Sequence, residues 1–238
     1  RLWQTLIPIF AYIISVGFDK ITGKLKNESQ ARYRAKQLTA LLVELGPAFV
    51  KAGQALSTRP DIIPVVLLEE LSQLQDQLPG FSGDKAMELI EKDLDKNIND
   101  IFLKIDKDPI SAASLGQVHK AILKDGEVVA VKVQRPGLRE QITLDLYIVR
   151  NIAIWLKNNI GLIRSDLVAL IDELGKRVFE EMDYINEAEN AEKFRDMHQK
   201  NIKIAVPKIY NKLTSRRVLT MEWIEGTKLT NLDDVKKL

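Results

Sequence analysis

Two short runs of β-prone residues, joined by a tight turn, constrain this chain more than any other feature. Val118–Leu123 and Glu127–Val133 are separated only by Lys124-Asp125-Gly126. Apolar, β-branched runs on either side of an Asp-Gly pair predict a β-hairpin. The apolar spacing before and after the hairpin is helical, so the predicted fold class is α+β, with a small antiparallel sheet and helices packed on it.

The remaining pattern predicts where those helices and further strands lie. Residues up to about Lys104 have mostly helical spacing, and so do Leu138–Ile160 and one long segment from Asp166 to Gln199. After Pro207, two β-prone runs at 208–210 and 217–223 predict two more strands, with a bend between them.

Composition excludes several classes of function. The chain has no cysteine, which rules out disulfides and cysteine-based zinc sites. Its two histidines, His119 and His198, are far apart in sequence, so the residues predict no metal site. The net charge is +2, from 35 basic and 33 acidic residues, which gives no basic footprint for a nucleic-acid partner.

The most apolar run lies near the N-terminus, at Leu6–Phe18. The run is shorter than the ~20 residues that a membrane span needs, and it contains Pro8 and Gly17. Two interpretations stay open: a packed helix, or a helix that lies on a membrane surface or against a hydrophobic partner. No small-residue cleavage site follows, which disfavours a signal peptide. Because the chain starts at Arg1, we expect it to be a segment of a longer protein.

Lys132 is the first candidate for chemistry. It lies on the second strand of the hairpin, where alternation places it on the same face as Ala130. A lysine facing solvent from an edge strand is the ordinary alternative. Protein kinases, however, carry their phosphate-pairing lysine on such a strand. The small residues of Ser111–Gly116 precede it and permit close approach of backbone N–H groups to phosphates. They lack the G-x-G-x-x-G pattern, and alone they favour a tight connection without a ligand.

An acidic segment supplies the second candidate. Glu181, Asp183 and Glu187 fall within the long predicted helix, where Asp183 and Glu187, four residues apart, should share a face. Such a helix usually presents a solvated face, whereas a kinase needs one glutamate to pair with the strand lysine. Met221–Gly226 follows as a strand end or as a linker whose backbone could meet an adenine edge.

These pieces together resemble one family, the UbiB-like atypical kinases linked to ubiquinone and other prenyl-lipid metabolism. The resemblance covers roughly 31–238 and rests on five motifs in order. The motifs are Leu45-Gly-Pro-Ala-Phe-Val-Lys-Ala-Gly-Gln-Ala-Leu-Ser-Thr-Arg-Pro-Asp61, Ala112-Ala-Ser-Leu-Gly-Gln-Val-His119, Val129-Ala-Val-Lys-Val-Gln-Arg-Pro-Gly137, Glu181-Met-Asp-Tyr-Ile-Asn-Glu-Ala188 and Met221-Glu-Trp-Ile-Glu-Gly226.

The resemblance implies a protein-kinase-like N-lobe with roles for particular residues. Lys132 matches the nucleotide-pairing lysine, and Glu187 matches the glutamate that holds it. The Ala-rich loop that replaces the Gly-rich loop of ordinary kinases corresponds to Ala112, Ala113, Ser114, Leu115 and Gly116. Glu222 and Ile224 belong to the segment that matches the hinge beside the adenine.

The resemblance also implies a regulatory set. Lys51 and Gln54 match the family's KxGQ motif, and Glu181 and Asp183 match its ExD pair. In the family the lysine pairs with these acids and restrains phosphorylation of protein substrates. The implied domains are a helical N-terminal extension at 1–104, the kinase-like N-lobe at 105–226 and the start of the C-lobe at 227–238.

The expected ligand is ATP or ADP with magnesium. No Asp-Phe-Gly and no His-x-Asp occurs in the chain, so the segment alone is expected to be catalytically silent, with the metal ligands in a C-lobe outside it. The expected setting is a membrane surface or lipid-biosynthesis complex, either peripheral or cytoplasmic in a bacterium or inside a plastid or mitochondrion, and not secreted.

The alternative function is a non-catalytic scaffold on a membrane or a complex. A P-loop NTPase is disfavoured because G-x-x-x-x-G-K-[ST] is absent, and a Rossmann enzyme because no G-x-G occurs.

Overall fold

A computed structural model describes residues 2–61, 63–75, 79–160 and 166–227 of the 238-residue chain. The chain divides into two compact units that are discontinuous in sequence. The first is formed by the described residues of 1–82, 111–117 and 134–182. The second is formed by those of 83–110, 118–133 and 183–238.

The helices within the described residues are, in chain order, α1 (Leu2–Ile21), α2 (Glu28–Leu45), α3 (Pro47–Ser57), α4 (Val65–Ser72), α5 (Gly83–Leu94), α6 (Ile98–Ile101), α7 (Leu138–Ile160), α8 (Leu167–Glu181) and α9 (Tyr184–His198). The strands are β1 (Phe102–Ile105), β2 (Ser111–Ala112), β3 (Gly116–Leu123), β4 (Val128–Gln134) and β5 (Val218–Glu222).

The sheet confirms the predicted α+β fold class. Within the described residues its strands run in the order β1-β3-β4-β5, and β2 also pairs with β3. β4 and β5 are antiparallel, with Lys132 opposite Leu219. The predicted Asp-Gly pair forms the hairpin turn. Gly126 adopts a positive φ of 92°, and the Asp125 carboxylate accepts a hydrogen bond from the Glu127 amide at 3.1 Å.

Two strand predictions need correction. Residues 102–105 form β1, although helical spacing was expected as far as Lys104. The strand predicted at 208–210 is reduced to a single bridge between Ile209 and Met221. Runs this short gain their conformation from the strand beside them, which the local sequence does not encode.

The prediction of one long helix from Asp166 to Gln199 also needs correction. The segment is helical, but it consists of two helices. α8 ends at Glu181 and α9 begins at Tyr184. Asp183 lies between them in an extended conformation, and its carboxylate accepts a hydrogen bond from the Ile185 amide at 3.1 Å. Asp183 is therefore an N-cap and does not share a helix face with Glu187.

In the first unit, the chain reverses at Gly46-Pro47. Gly46 has a φ of 111°, which disfavours side chains with a Cβ, and Pro47 starts α3 at the position where a missing N–H costs nothing. One core cluster joins α3 to α4 through Val50, Leu71 and Leu74. A second core cluster packs α3, α7 and α8 together. Its buried residues are Ala48, Leu115, Leu138, Ile142, Val178 and Met182.

Helix α1 is longer than the apolar run that predicted it and is poorly covered by the rest of the structure. It is the one described helix that is long and apolar enough to cross a membrane, judged by length and composition only. More than half of the surface is exposed for seven of its large apolar residues, which are Trp3, Ile7, Phe10, Ile13, Ile14, Phe18 and Ile21. Within the described residues, this face of the helix is therefore not packed against another element.

The buried His119 on β3 predicts a pH-dependent stability of the second unit. Its side chain is 0% exposed, and its Nδ1 lies 2.8 Å from the Asp106 carbonyl oxygen. Burial lowers the pKa of His119 below 6.5, with smaller opposing effects from Asp106 and Asp108. Below about pH 6.5 the unfolded chain therefore binds this proton more readily than the folded chain.

We expect the free energy of unfolding to fall as the pH drops from about 6.5 towards the lower native pKa, by at most ~1.4 kcal/mol per pH unit. Urea denaturation between pH 7.5 and 5.5 measures this slope. His119→Gln should flatten it. An equal slope in the variant would assign the effect to other groups.

Candidate functional site

The pair formed by Lys132 and Glu187 is the centre of the candidate site. The Lys132 Nζ lies 2.8 Å and 2.7 Å from the two carboxylate oxygens of Glu187. Lys132 projects from β4 and Glu187 from the first turn of α9. The side chains are 26% and 37% exposed, so the pair is sheltered but can be reached from solvent.

Tyr184 completes the support for this lysine. Its ring is fully buried with Ala188, Ile209 and Leu219, and the Lys132 ammonium lies 4.6 Å from the ring centroid. An ammonium over an aromatic face gains electrostatic energy that a solvated lysine lacks. Lys132 is thus held from two sides, by a carboxylate and by a π-face.

The start of α9, which carries Glu187, is fastened to the segment before β5. The Tyr184 amide donates to the Arg216 carbonyl at 3.2 Å, and the Arg216 guanidinium lies 3.5 Å from the Asp183 carboxylate. Arg217 and Ser215 in turn bond the Asp93 carboxylate on α5, Ser215 at 2.9 Å. The glutamate is therefore placed by a helix whose first turn is tied down.

The residues predicted as regulatory do not form a single group. Lys51 on α3 pairs with Glu181 at the end of α8, two residues 130 apart in sequence. Gln54 donates instead to the Leu74 carbonyl at 2.9 Å and so ties α3 to the segment after α4. Asp183 is engaged as the cap of α9. The structure brings Lys51 to one acid of the ExD pair, while their regulatory role remains a prediction.

The Ala-rich loop has an exposed tip on a buried base. Ala113 is exposed, whereas Ser114, Leu115 and Gly116 are buried, and Leu115 belongs to a core cluster of the first unit. The Ala113 amide donates to the Gly116 carbonyl at 2.8 Å and closes the turn. Ala112 ends β2. Nucleotide contact by this loop therefore remains a prediction centred on its tip.

The segment predicted as a hinge lies along a cavity of about 700 Å³. Glu222 pairs with Val129 at the end of β5, and Ile224 is partly exposed at the cavity wall. The cavity is otherwise lined by the end of α9 and by residues 199–206. Lys132 and Glu187 are not among its described lining residues, so this cavity is separate from the lysine–glutamate pair.

Sequence reasoning missed two supporting residues, Tyr184 and Arg135. Tyr184 stands inside the ExD motif but was given no role. The Arg135 side chain donates to the Ala113 carbonyl of the Ala-rich loop, and no local sequence pattern predicts such a contact. An aromatic residue directly after an Asp that can cap a helix was the available signal for Tyr184.

A strand lysine held by a glutamate on the helix packed against a small antiparallel sheet defines the N-lobe of a protein-kinase-like fold. The comparison with family models agrees. The model of the ABC1 atypical kinase-like domain matches residues 73–238, and the chain belongs to this family, also called UbiB/ABC1.

Individual relatives are plastid and cyanobacterial proteins. The chain is 50% identical over 236 residues to an uncharacterized protein of Synechocystis sp., covering 99% of this chain and 34% of that protein. It is 46% identical over 230 residues to Protein ACTIVITY OF BC1 COMPLEX KINASE 3, chloroplastic, of Arabidopsis thaliana, covering 96% of this chain and 32% of the relative. The chain thus spans about a third of the length of these relatives.

A solved structure has the same fold. Rv3197 from Mycobacterium tuberculosis, determined in complex with erythromycin, is 32% identical, with a TM-score of 0.58 over 90% of this chain and 53% of that one. The comparisons confirm the predicted family and the kinase-like N-lobe. They do not test the roles of individual residues.

Proposed function

We propose that this chain supplies the nucleotide-binding part of a UbiB-type atypical kinase or ATPase that supports ubiquinone or other prenyl-lipid metabolism. The observation that carries the proposal is the contact of Lys132 with both oxygens of Glu187. Family membership and relatives named as kinases support it. Chloroplastic and cyanobacterial relatives favour a plastid or bacterial setting.

The described residues fit a nucleotide phosphate. A lysine ammonium has three N–H donors, and two of them are directed at Glu187, which leaves one for a phosphate oxygen. Magnesium would neutralise the charge that develops on the transferred phosphoryl group. The described part of the chain holds no cluster of three metal-ligating side chains, so we assign the magnesium ligands to the remaining length of the full protein.

The ion pair between Lys51 and Glu181 fits a regulatory role. It joins α3, which carries the KxGQ motif, to the last turn of α8. In our proposal this contact restrains phosphorylation of protein substrates and leaves the pair of Lys132 and Glu187 unchanged.

Nucleotide binding by the full-length protein that carries this chain tests the proposal. Calorimetry with ATP and ADP, with and without magnesium, should give saturable, magnesium-dependent binding. Transfer of labelled γ-phosphate to protein, lipid or water then identifies the acceptor. Absence of nucleotide binding at millimolar concentration would refute the enzymatic proposal.

The exposed apolar face of α1 supports a second candidate, a scaffold that docks on a membrane surface. The helix contains one acidic residue, Asp19, which is buried. Three exposed lysines follow Asp19 in sequence: Lys20 in the last turn of α1, and Lys24 and Lys26 after the helix. An apolar face next to lysines suits the surface of an anionic bilayer.

The contacts of α1 with α2 favour lying on the membrane over spanning it. The Asp19 carboxylate accepts from Arg34 Nε and from Gln30 Nε2, both at 2.7 Å. The Tyr12 hydroxyl donates to the Arg34 carbonyl at 3.1 Å. A spanning α1 would have to break these bonds or carry the polar residues of α2 into hydrocarbon, which is costly.

Sedimentation of the full-length protein with phosphatidylcholine vesicles, with and without phosphatidylserine, measures this binding. Ile14→Glu should weaken vesicle binding at least about tenfold, because it places a charge on the exposed apolar face that would enter the bilayer. Ile202→Glu is the matched control, since Ile202 is 99% exposed and lies far along the chain in the second unit. Equal binding by both variants would remove α1 from the contact.

A further inference from the structure

Arg135 holds the tip of the Ala-rich loop by its backbone. Its Nε and Nη2 donate to the Ala113 carbonyl at 3.1 Å and 2.9 Å, and its own amide donates to the Leu115 carbonyl at 3.0 Å. Nη2 also donates to the Pro79 carbonyl at 2.6 Å. One side chain therefore joins the loop to the segment that precedes α5.

The same segment makes a second connection to the loop. The Phe81 amide donates to Gln117 Oε1 at 2.8 Å, and Gln117 is buried at the start of β3. The Arg135 guanidinium carbon lies 5.9 Å from the Phe81 ring centroid. Residues 79–81, the loop and Arg135 thus form one bonded cluster within the first unit.

Within the described residues, no carboxylate neutralises the charge of Arg135. The acceptors of its side chain are the neutral carbonyls of Ala113 and Pro79, and its Nη1 donors have no acceptor within the described residues. Partial burial lowers the pKa of Arg135, but a guanidinium stays protonated in proteins. A fixed positive charge therefore lies beside the exposed Ala113.

We propose that Arg135 is the positioning residue of the Ala-rich loop, which fixes the loop tip for the phosphates of a nucleotide. A carbonyl oxygen turned towards a phosphate would repel it, and Arg135 binds the carbonyl of the one exposed residue of the turn. Alanine and serine make this loop less adaptable than a Gly-rich loop, so a fixed tip matters more. The inference rests on the proposed nucleotide binding.

Adenosine separates positioning from general structural support, because it lacks the phosphates that the loop tip would meet. In the full-length protein, Arg135→Ala should weaken ATP and ADP binding about tenfold or more while leaving the affinity for adenosine unchanged. Arg135→Lys keeps the charge but cannot donate from a planar fork, so its loss should be intermediate. Arg139→Ala is the control, since Arg139 is exposed and contacts the Phe179 ring at 5.4 Å.

The outcomes separate the inference from the proposal beneath it. If the wild type binds nucleotide and both Arg135 variants bind equally well, the inference is wrong and the proposed function stands. An equal loss for adenosine and ATP would make Arg135 a structural residue only. If the wild type binds no nucleotide, the inference about Arg135 and the proposed function are both wrong. Should Arg135→Ala fail to fold, the comparison of Arg135→Lys with the wild type decides.

Discussion

Lys132→Ala should weaken magnesium-dependent ATP binding by the full-length protein about a hundredfold. The substitution removes the cation that meets the phosphates and leaves the Glu187 carboxylate unpaired beside them. Removing one partner of a hydrogen-bonded charge pair costs roughly 2–5 kcal/mol, and ~1.4 kcal/mol corresponds to a tenfold change in affinity. Calorimetric titration with ATP measures the change.

Glu187→Gln should have a smaller effect, about tenfold, because the amide still accepts one hydrogen bond from Lys132 but no longer balances its charge. Lys104→Ala is a matched control, since Lys104 lies on β1 of the same sheet and pairs with Asp106 at 2.8 Å. A hundredfold loss in this control would show a general effect of net charge. Unchanged affinity in Lys132→Ala would remove this pair from the nucleotide site.

Tyr184→Ala should lower the free energy of unfolding by about 3–5 kcal/mol, the usual cost of deleting a buried aromatic ring. Tyr184 is fully buried and is the largest member of a core cluster in the second unit. Urea denaturation of the full-length protein should show a lower midpoint with an unchanged slope for the transition of this part.

Tyr184→Phe separates the ring from the hydroxyl. It keeps the core volume and the π-face beneath Lys132, so its cost should stay below about 1.5 kcal/mol. Nucleotide affinity should stay close to that of the wild type in this variant. A loss as large as that of Tyr184→Ala would place the stabilising contact at the hydroxyl.

The sequence predicted those parts of the fold whose signal is local. The hairpin follows from β-branched runs around Asp125-Gly126, and α7 follows from apolar spacing that is uninterrupted from Leu138 to Ile160. The break between α8 and α9 was missed because helical spacing continues across it. The feature that starts a separate second helix is a single carboxylate, which Asp183 supplies as the N-cap of α9.

The candidate site was accessible from the sequence only through family resemblance. Lys132 and Glu187 are 55 residues apart, and Lys51 and Glu181 are 130 apart, so no periodicity relates the members of either pair. The contacts of Arg135 could not be predicted from the sequence for another reason. Its partners are backbone carbonyls, which every residue carries, so the identity of Ala113 or Pro79 reveals nothing about the contact.

The two acids of the ExD motif have different partners although they are two residues apart. Glu181 is engaged by Lys51, whereas Asp183 is engaged by the first turn of α9 and by Arg216. Freeing Glu181 therefore does not require unwinding the helix that carries Glu187. Under the proposed regulatory role, a substitution at Lys51 would therefore change the restraint without touching the contact between Lys132 and Glu187.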